Sequence, residues 1–327
     1  MLKSVKHTKI RRELVEKPSS LYCYVTKGCD RLRTIRDRLI YLHRIPLLTR
    51  RMLYTLLQYD TQLKTAFQAS PSQLRQLLTI PYSKAVRLHQ LLSDENLHDF
   101  IKKDETICQC ITIFDKEYPS QLRSIYDPPL VLYAQGDISL LNKRKMIAVI
   151  GTRNPSSESQ AKIKRFVPPL VKEDWTIVSG LAYGIDSQAH EQTLRENGKT
   201  IAVLGSGFQH VYPKRHLSLY RQISKKGLVL SEYPPNIRPQ KYHFPERNRI
   251  ISGLSEAVLV IEATEKSGTL ITVDQGLEQG KEIYVVPGSL LYPQTIGCHR
   301  LIQQGAKLVI DIDDILEDFT FSYGKTT

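Results

Sequence analysis

Met146-Ile147-Ala148-Val149-Ile150-Gly151-Thr152-Arg153-Asn154-Pro155-Ser156 decides the fold. An unbroken apolar run that ends on Gly reads as a strand buried on both faces. Gly151 lets the turn after the strand come close to a ligand. The N–H groups of a following helix would point at that ligand, and Arg153 adds positive charge, so this strand end is a candidate anion site. Runs of the same texture recur at Thr176–Ser179, Thr200–Leu204, Leu228–Ser231, Ala257–Ile261, Glu282–Val286 and Lys307–Ile310, with helical stretches between them. That alternation predicts an α/β protein with a mostly parallel sheet and helices on both faces. In such sheets ligands sit outside the carboxyl ends of the strands, near a switch point.

Upstream of the sheet the period changes. From Thr34 to Phe100 the pattern is helical, with Leu39, Leu42, Leu47, Leu48, Leu53, Leu56 and Leu57 at three- and four-residue steps. Ser70-Pro71-Ser72 opens one helix with an N-cap and a proline in the first turn. Ile80-Pro81-Tyr82-Ser83 breaks into another that carries Ala85, Leu88, Leu91 and Leu92. Short helices around proline turns resemble a sterile-alpha-motif or helix-hairpin-helix module; the Gly hairpin of the latter is absent, and a generic helical partner domain is the alternative. Five segments are expected: a basic extension (1–33), a helical, sterile-alpha-motif-like domain (34–100), a connector with short strands joining the sheet (101–145), a Rossmann-like domain (146–318) and a tail (319–327).

Length and composition bound the function. The 327 residues allow roughly two domains, and 41% hydrophobic content supports a real core. The longest apolar runs are too short to span a bilayer. The first thirty residues lack the apolar core of a signal peptide, so the expected compartment is the cytoplasm, with no membrane partner. The five cysteines, Cys23, Cys29, Cys108, Cys110 and Cys298, fit no zinc spacing; no metal site is expected. The net charge is +13, and residues 1–51 carry fourteen Lys/Arg against four Asp/Glu. The basic balance therefore belongs mostly to the N-terminal segment. It suits an arm for nucleic acid, or a solubilising terminus, and any positive patch on the sheet domain must be local.

The strand ends show no recognisable catalytic set. The turn after Gly151 lacks the second and third glycines of a dinucleotide fingerprint, and Gly205-Ser206-Gly207 has His at position 210. Gly276 and Gly280-Lys281 precede a strand instead of following one, so a phosphate-cradling P-loop fails. Ser267-Gly268-Thr269 is either a second anion site at a helix N-terminus or a plain N-cap. Asp186 and His190 share a helix face, as an acid–base pair would, but a helix cap and a satisfied core histidine are the blander account. Cys298-His299 are adjacent, so their side chains diverge.

The nine residues Lys241-Tyr242-His243-Phe244-Pro245-Glu246-Arg247-Asn248-Arg249 mix aromatic faces with cations around a single carboxylate. Aromatics stack on bases and cations hold phosphates, so the stretch reads as a surface for single-stranded nucleic acid. A dimer salt-bridge network or a nucleotide pocket could use the same cations. Pro234, Pro235, Pro239 and Pro245 keep the segment extended, which predicts a helix starting near Arg247. Cations there oppose the helix dipole and call for a compensating anion.

Taken in order, the motifs resemble a known family. They are Gly151-Thr152-Arg153-x-Pro155-Ser156, Ser179-Gly180-Leu181-Ala182-x-Gly184-Ile185-Asp186, Thr200-Ile201-Ala202-Val203-Leu204-Gly205-x-Gly207 with Tyr212-Pro213, Phe244-Pro245-x-Arg247-Asn248-Arg249-Ile250-Ile251, Ser267-Gly268-Thr269-Leu270-Ile271-Thr272 and Pro287-Gly288. The series is similar to the bacterial DNA-processing protein A (DprA/Smf) family over about residues 105–315. The resemblance implies an extended Rossmann-like core that binds single-stranded DNA, protects incoming strands during natural transformation and loads RecA recombinase onto them. It implies no catalysis and no cofactor. It implies a DNA pocket lined by Arg153, Lys241, Phe244, Arg247 and Arg249, with Gly151, Thr152, Ser179, Gly180, Gly205, Ser267, Gly268 and Thr269 shaping loops around phosphates. Asn248 would be structural or would contact a base. The family's dimer would use Leu301, Ile302 and Leu308, for which helix and strand core is the competing account. Single-strand-binding protein is a further candidate partner. Gly297-Cys298-His299 departs from the Gly-Thr-Asn of many members. The rival function is a Rossmann-like nucleoside-monophosphate hydrolase, whose catalytic Glu would fall where Val273 stands.

Overall fold

The structure, a computed structural model, describes residues 32–320. Most of the expected basic extension, with Cys23 and Cys29, and the end of the expected tail lie outside the described residues. Six helices come first: α1 (Ile35–Arg44), α2 (Arg50–Tyr59), α3 (Thr65–Gln68), α4 (Pro71–Leu78), α5 (Tyr82–Leu91) and α6 (Glu95–Ile107). The Ser70 cap is as read from sequence: its hydroxyl accepts from Gln73 N, the Gln73 side chain returns the bond, and Pro71 sits at the first helical position. α6 runs seven residues beyond the expected end of the helical pattern.

Next come β1 (Gln109–Thr112), α7 (Ser120–Arg123) and β2 (Val131–Gly136). The α/β repeat follows as β3 (Met146–Gly151), α8 (Ser159–Lys172), β4 (Thr176–Ser179), α9 (Ile185–Arg195), β5 (Thr200–Leu204), α10 (Leu217–Lys226) and β6 (Leu228–Ser231). It continues with α11 (His243–Leu254), β7 (Ala257–Glu262), α12 (Gly268–Glu278), β8 (Glu282–Val285), α13 (Pro293–Gln303), β9 (Lys307–Leu308) and α14 (Asp313–Thr320).

All nine strands form one sheet in the order β1-β2-β6-β5-β4-β3-β7-β8-β9. β2 pairs antiparallel with both β1 and β6, and every other pairing is parallel. The segment expected as a connector therefore supplies one edge of the sheet. Side chains alternate along each strand. Ile147, Val149, Ile177, Leu259 and Ile261 pack with α8 and α9 on one face. Ala148, Ile150, Val178, Val203 and Val260 pack with α11 and with Leu301 on the other. The N-terminal helices share a third core with Val131, Tyr133, Leu204 and Val229. Polar links cross the same boundary. Arg44, buried and paired within the helices with Asp104 at 3.0 Å, reaches across to the Asn236 side chain. The Tyr54 hydroxyl donates to the Pro128 carbonyl at 2.6 Å. No helix among the described residues is long and apolar enough to cross a membrane.

Candidate nucleic-acid interface

The strand order places the switch point at β3, flanked by β4 on one side and β7 on the other, where an open α/β sheet takes its ligand. Here that crevice is filled by the protein. Thr152 N donates to the Glu262 carbonyl at 2.8 Å, tying the ends of β3 and β7 together. The buried Glu262 carboxylate accepts from Ser156 N at 2.8 Å, Ser156 Oγ at 2.5 Å and Lys162 Nζ at 2.8 Å. An internal carboxylate occupies the anion position read from the turn after Gly151. Gly151 packs closely against α9, where a Cβ would stand 2.5 Å from Ile185 Cγ1, and Thr152 is buried.

Arg153 takes a different course. Its guanidinium carbon lies 5.7 Å from the centre of the Phe244 ring, at cation–π range. Phe244 stands over Gly205 at the end of β5, where a Cβ would come within 3.0 Å of the ring. The Tyr212 ring centre is 5.6 Å away, tilted. Below them Arg247 is buried, and its Nη1 donates to the Gly180 carbonyl at 2.5 Å and to the Val203 carbonyl. A side chain at position 180 would strike that guanidinium. Burial lowers the Arg247 pKa to about 10, against the pull of Asp186, so the group stays cationic at neutral pH. Asp186 in turn accepts from Gly180 N at 3.1 Å, and Asn248 Oδ1 accepts from Arg247 Nε at 3.2 Å. Arg153, Gly180, Tyr183, Tyr212, Phe244 and Arg247 together line one small pocket at the carboxyl edge of the sheet. It offers aromatic faces at its rim, an exposed cation beside them and a fixed cation in its floor.

Other expected residues lie elsewhere. Lys241 is exposed on the loop leading into α11. Arg249, expected to meet phosphate, is 7% exposed. Its Nη2 is 2.8 Å from Glu232, its Nε is 3.5 Å from Asp127, and both carboxylates also meet Arg50 of α2. Burial pushes the Glu232 carboxyl up, but Arg249 and Arg50 outweigh it and hold it below its ordinary value. Arg249 thus shares two carboxylates with Arg50, in a network through which α2 is joined to the sheet. α11 begins at His243, four residues before the expected start, so Arg247 and Arg249 do not sit at its positive end. Ser179 is wholly buried and donates to the Val149 carbonyl at 2.7 Å. Ser267 caps α12, accepting from Thr269 N at 3.1 Å, and this loop follows β7, on the far flank of β3 from Phe244. Nothing within 4 Å of Gly268 would oppose a side chain there. Among the expected dimer residues, Leu301 packs in the core and Ile302 against it, whereas Leu308 is exposed on the edge strand β9.

Two sequence alternatives resolve. His190 is buried, with Nδ1 2.6 Å from Thr200 Oγ1, and Asp186 turns to the Gly180 amide, so they form no acid–base pair. Burial lowers the His190 pKa to about 3, from an ordinary 6.5. Between those values the unfolded chain binds the proton and the folded chain does not, so stability falls as pH drops through 6.5 towards 3. The urea midpoint should fall between pH 7 and pH 5, and His190→Gln should flatten that dependence; an unchanged slope would assign it to other groups. Burial likewise raises the Cys298 thiol to about 12, which leaves it inert as a nucleophile at neutral pH. Its neighbour His299 lies with Nε2 3.1 Å from the Gly288 carbonyl.

Tyr183 and Tyr212 were not among the expected site residues, nor were Lys214 and Arg215, which are exposed in the turn before α10. The signal was available: Tyr212-Pro213-Lys214-Arg215 repeats the ring, proline and cation mixture of Lys241–Arg249.

A Rossmann-like sheet whose switch point is tied by an internal carboxylate, with rings and guanidinium groups gathered beside it, has the form of a binding scaffold. The model of the family DNA recombination-mediator protein A matches residues 109–320, and the chain belongs to that family. It is 50% identical to DNA processing protein DprA of Bacillus subtilis over 208 residues, covering 64% of this chain and 70% of that one. With DNA processing protein DprA of Streptococcus pneumoniae it shares 45% over 210 residues, 64% of this chain and 74% of that one. The X-ray structure of the pneumococcal protein superimposes with a TM-score of 0.76 at 35% identity, over 87% of this chain and 98% of that one. A structure of DNA processing protein A from Helicobacter pylori, concerned with that protein's single-stranded DNA binding mode, matches with a TM-score of 0.59 at 30% identity, over 66% of this chain and 97% of that one.

Proposed function

We propose that this chain binds single-stranded DNA in the Arg153–Phe244 pocket, protects incoming strands during natural transformation and loads RecA recombinase onto them, without catalysing a reaction. The observation that carries the reading is the convergence of Arg153, Tyr212 and the α11 pair Phe244 and Arg247 on one pocket from three separate segments. Unpaired bases present π faces to such rings, and their phosphates suit the cations. Family membership and the single-stranded DNA binding of the Helicobacter pylori relative support it. The protein works in the cytoplasm and as a homodimer; exposed Leu308 and Ile310 beside the sheet edge are suited to the pairing.

Titrating a labelled oligothymidylate and the matching duplex at two salt concentrations, with AMP hydrolysis followed in parallel, tests this directly. Tight single-strand binding, weaker duplex binding and no hydrolysis are expected. AMP turnover would favour the hydrolase reading, against which Val273 lies buried in the core. Lys241→Ala should weaken all single-strand sequences alike and reduce the salt slope by about 0.7, as for one lost phosphate contact. Sequence-selective loss would remove Lys241 from the phosphate path.

A further inference from the structure

The Phe244 pocket adjoins a second, larger cleft. This cleft of about 780 Å³ lies between α9 and α10, and Arg153 and Tyr183 line both. α9 follows β4 and α10 follows β5, two parallel neighbours. Both helices therefore leave the carboxyl edge of the sheet in the same direction, and the groove between them runs about 15 Å at 1.5 Å per residue. Arg153 and Arg215 stand at its mouth, and Arg195 and Lys226, on the last turns of the two helices, at its far end. Among the described residues Glu191 is the only carboxylate in its lining, 3.8 Å from Arg195. Cations at the ends of α9 and α10 complement the helix dipoles, which accounts for Arg195 and Lys226. Arg215 has no such account: it precedes the first residue of α10, where the helix presents its positive end. The rest of the lining is mainly polar, with one exposed ring, Tyr183, at the mouth. That chemistry suits a sugar–phosphate backbone and not a row of stacked bases.

We infer that this groove carries the backbone of the bound single strand onward from the nucleotide held at Phe244. At the 3.4 Å spacing of one duplex strand its length would span at most about four nucleotides, and fewer of an extended, unstacked strand. The inference rests on the single-strand reading above, and oligomer length separates the two. Fluorescence anisotropy of the whole chain with oligothymidylates of four and ten nucleotides, at two salt concentrations, is the test. For Arg195→Ala/Arg215→Ala, the four-mer, which reaches the mouth but not the far end, should lose about threefold with a salt slope lower by about 0.7, while the ten-mer loses roughly tenfold and its salt slope drops by about 1.4, two contacts' worth. Glu191→Gln, which removes the groove's carboxylate, should tighten the ten-mer and leave the four-mer alone. All three side chains are exposed, so thermal midpoints should hardly move. If the double variant keeps the length dependence of the parent, or loses both lengths equally, the groove is not the path. If the parent binds neither length, the single-strand reading fails and the groove falls with it.

Discussion

Phe244→Ala lowers affinity for an oligothymidylate by about 1–3 kcal/mol, the range for losing one base–aromatic stack, which is roughly five- to 150-fold in Kd. The salt dependence should not change, because a phenyl ring neutralises no phosphate. The half-buried ring stands above Gly205 and beside Tyr212, so the sheet core beneath keeps its packing and the loss should appear in binding and not in folding. Phe244→Tyr keeps a π face and should retain most of the affinity. Two observations would remove the ring from the site: a drop in salt slope near 0.7, which marks a lost charge contact, or an alanine variant that binds like the parent.

Arg249→Ala behaves in the opposite way, costing stability and sparing binding. It strips a buried guanidinium from Glu232 and Asp127, and removing one partner of a buried pair costs about 3–5 kcal/mol. Arg50 remains beside both carboxylates, which places the expected loss at the lower end. Urea unfolding should show it as an earlier midpoint. Arg249→Met with Glu232→Gln should recover much of it, since no uncompensated charge then stays buried. The folded fraction of the alanine variant should bind single strands within about threefold of the parent. A tenfold loss of binding at unchanged stability would return Arg249 to the phosphate path.

The contrast between these residues shows where the sequence stops being legible. Parallel strands are buried on both faces, so the apolar runs from Met146 to Ile261 stand out by themselves, and the strands appear at those positions. β1 and β2 were harder to assign to the sheet, because their antiparallel pairings depend on where β6 lies. Within Lys241–Arg249, nothing local distinguishes an exposed cation from a buried one. Arg247 goes inward because the carbonyls of Gly180 and Val203 await it, and Arg249 because β6 delivers Glu232. α11 starts earlier than its prolines suggest for a related reason. Pro245 lies in the first turn, where a missing N–H costs nothing, so it does not exclude helix. The meeting of Arg153 with Phe244 depends on strand order, which spacing along the chain does not encode.

Glu262 has a consequence for the strand end beside Arg153. In many nucleotide-binding sheets the helix amides at the switch point are satisfied by a cofactor's phosphates. Here the chain brings its own counter-ion to Lys162 and the Ser156 amide. The turn after Gly151 is thereby pinned to α8 and to the end of β7 by the chain's own groups, which fixes the edge from which Arg153 projects.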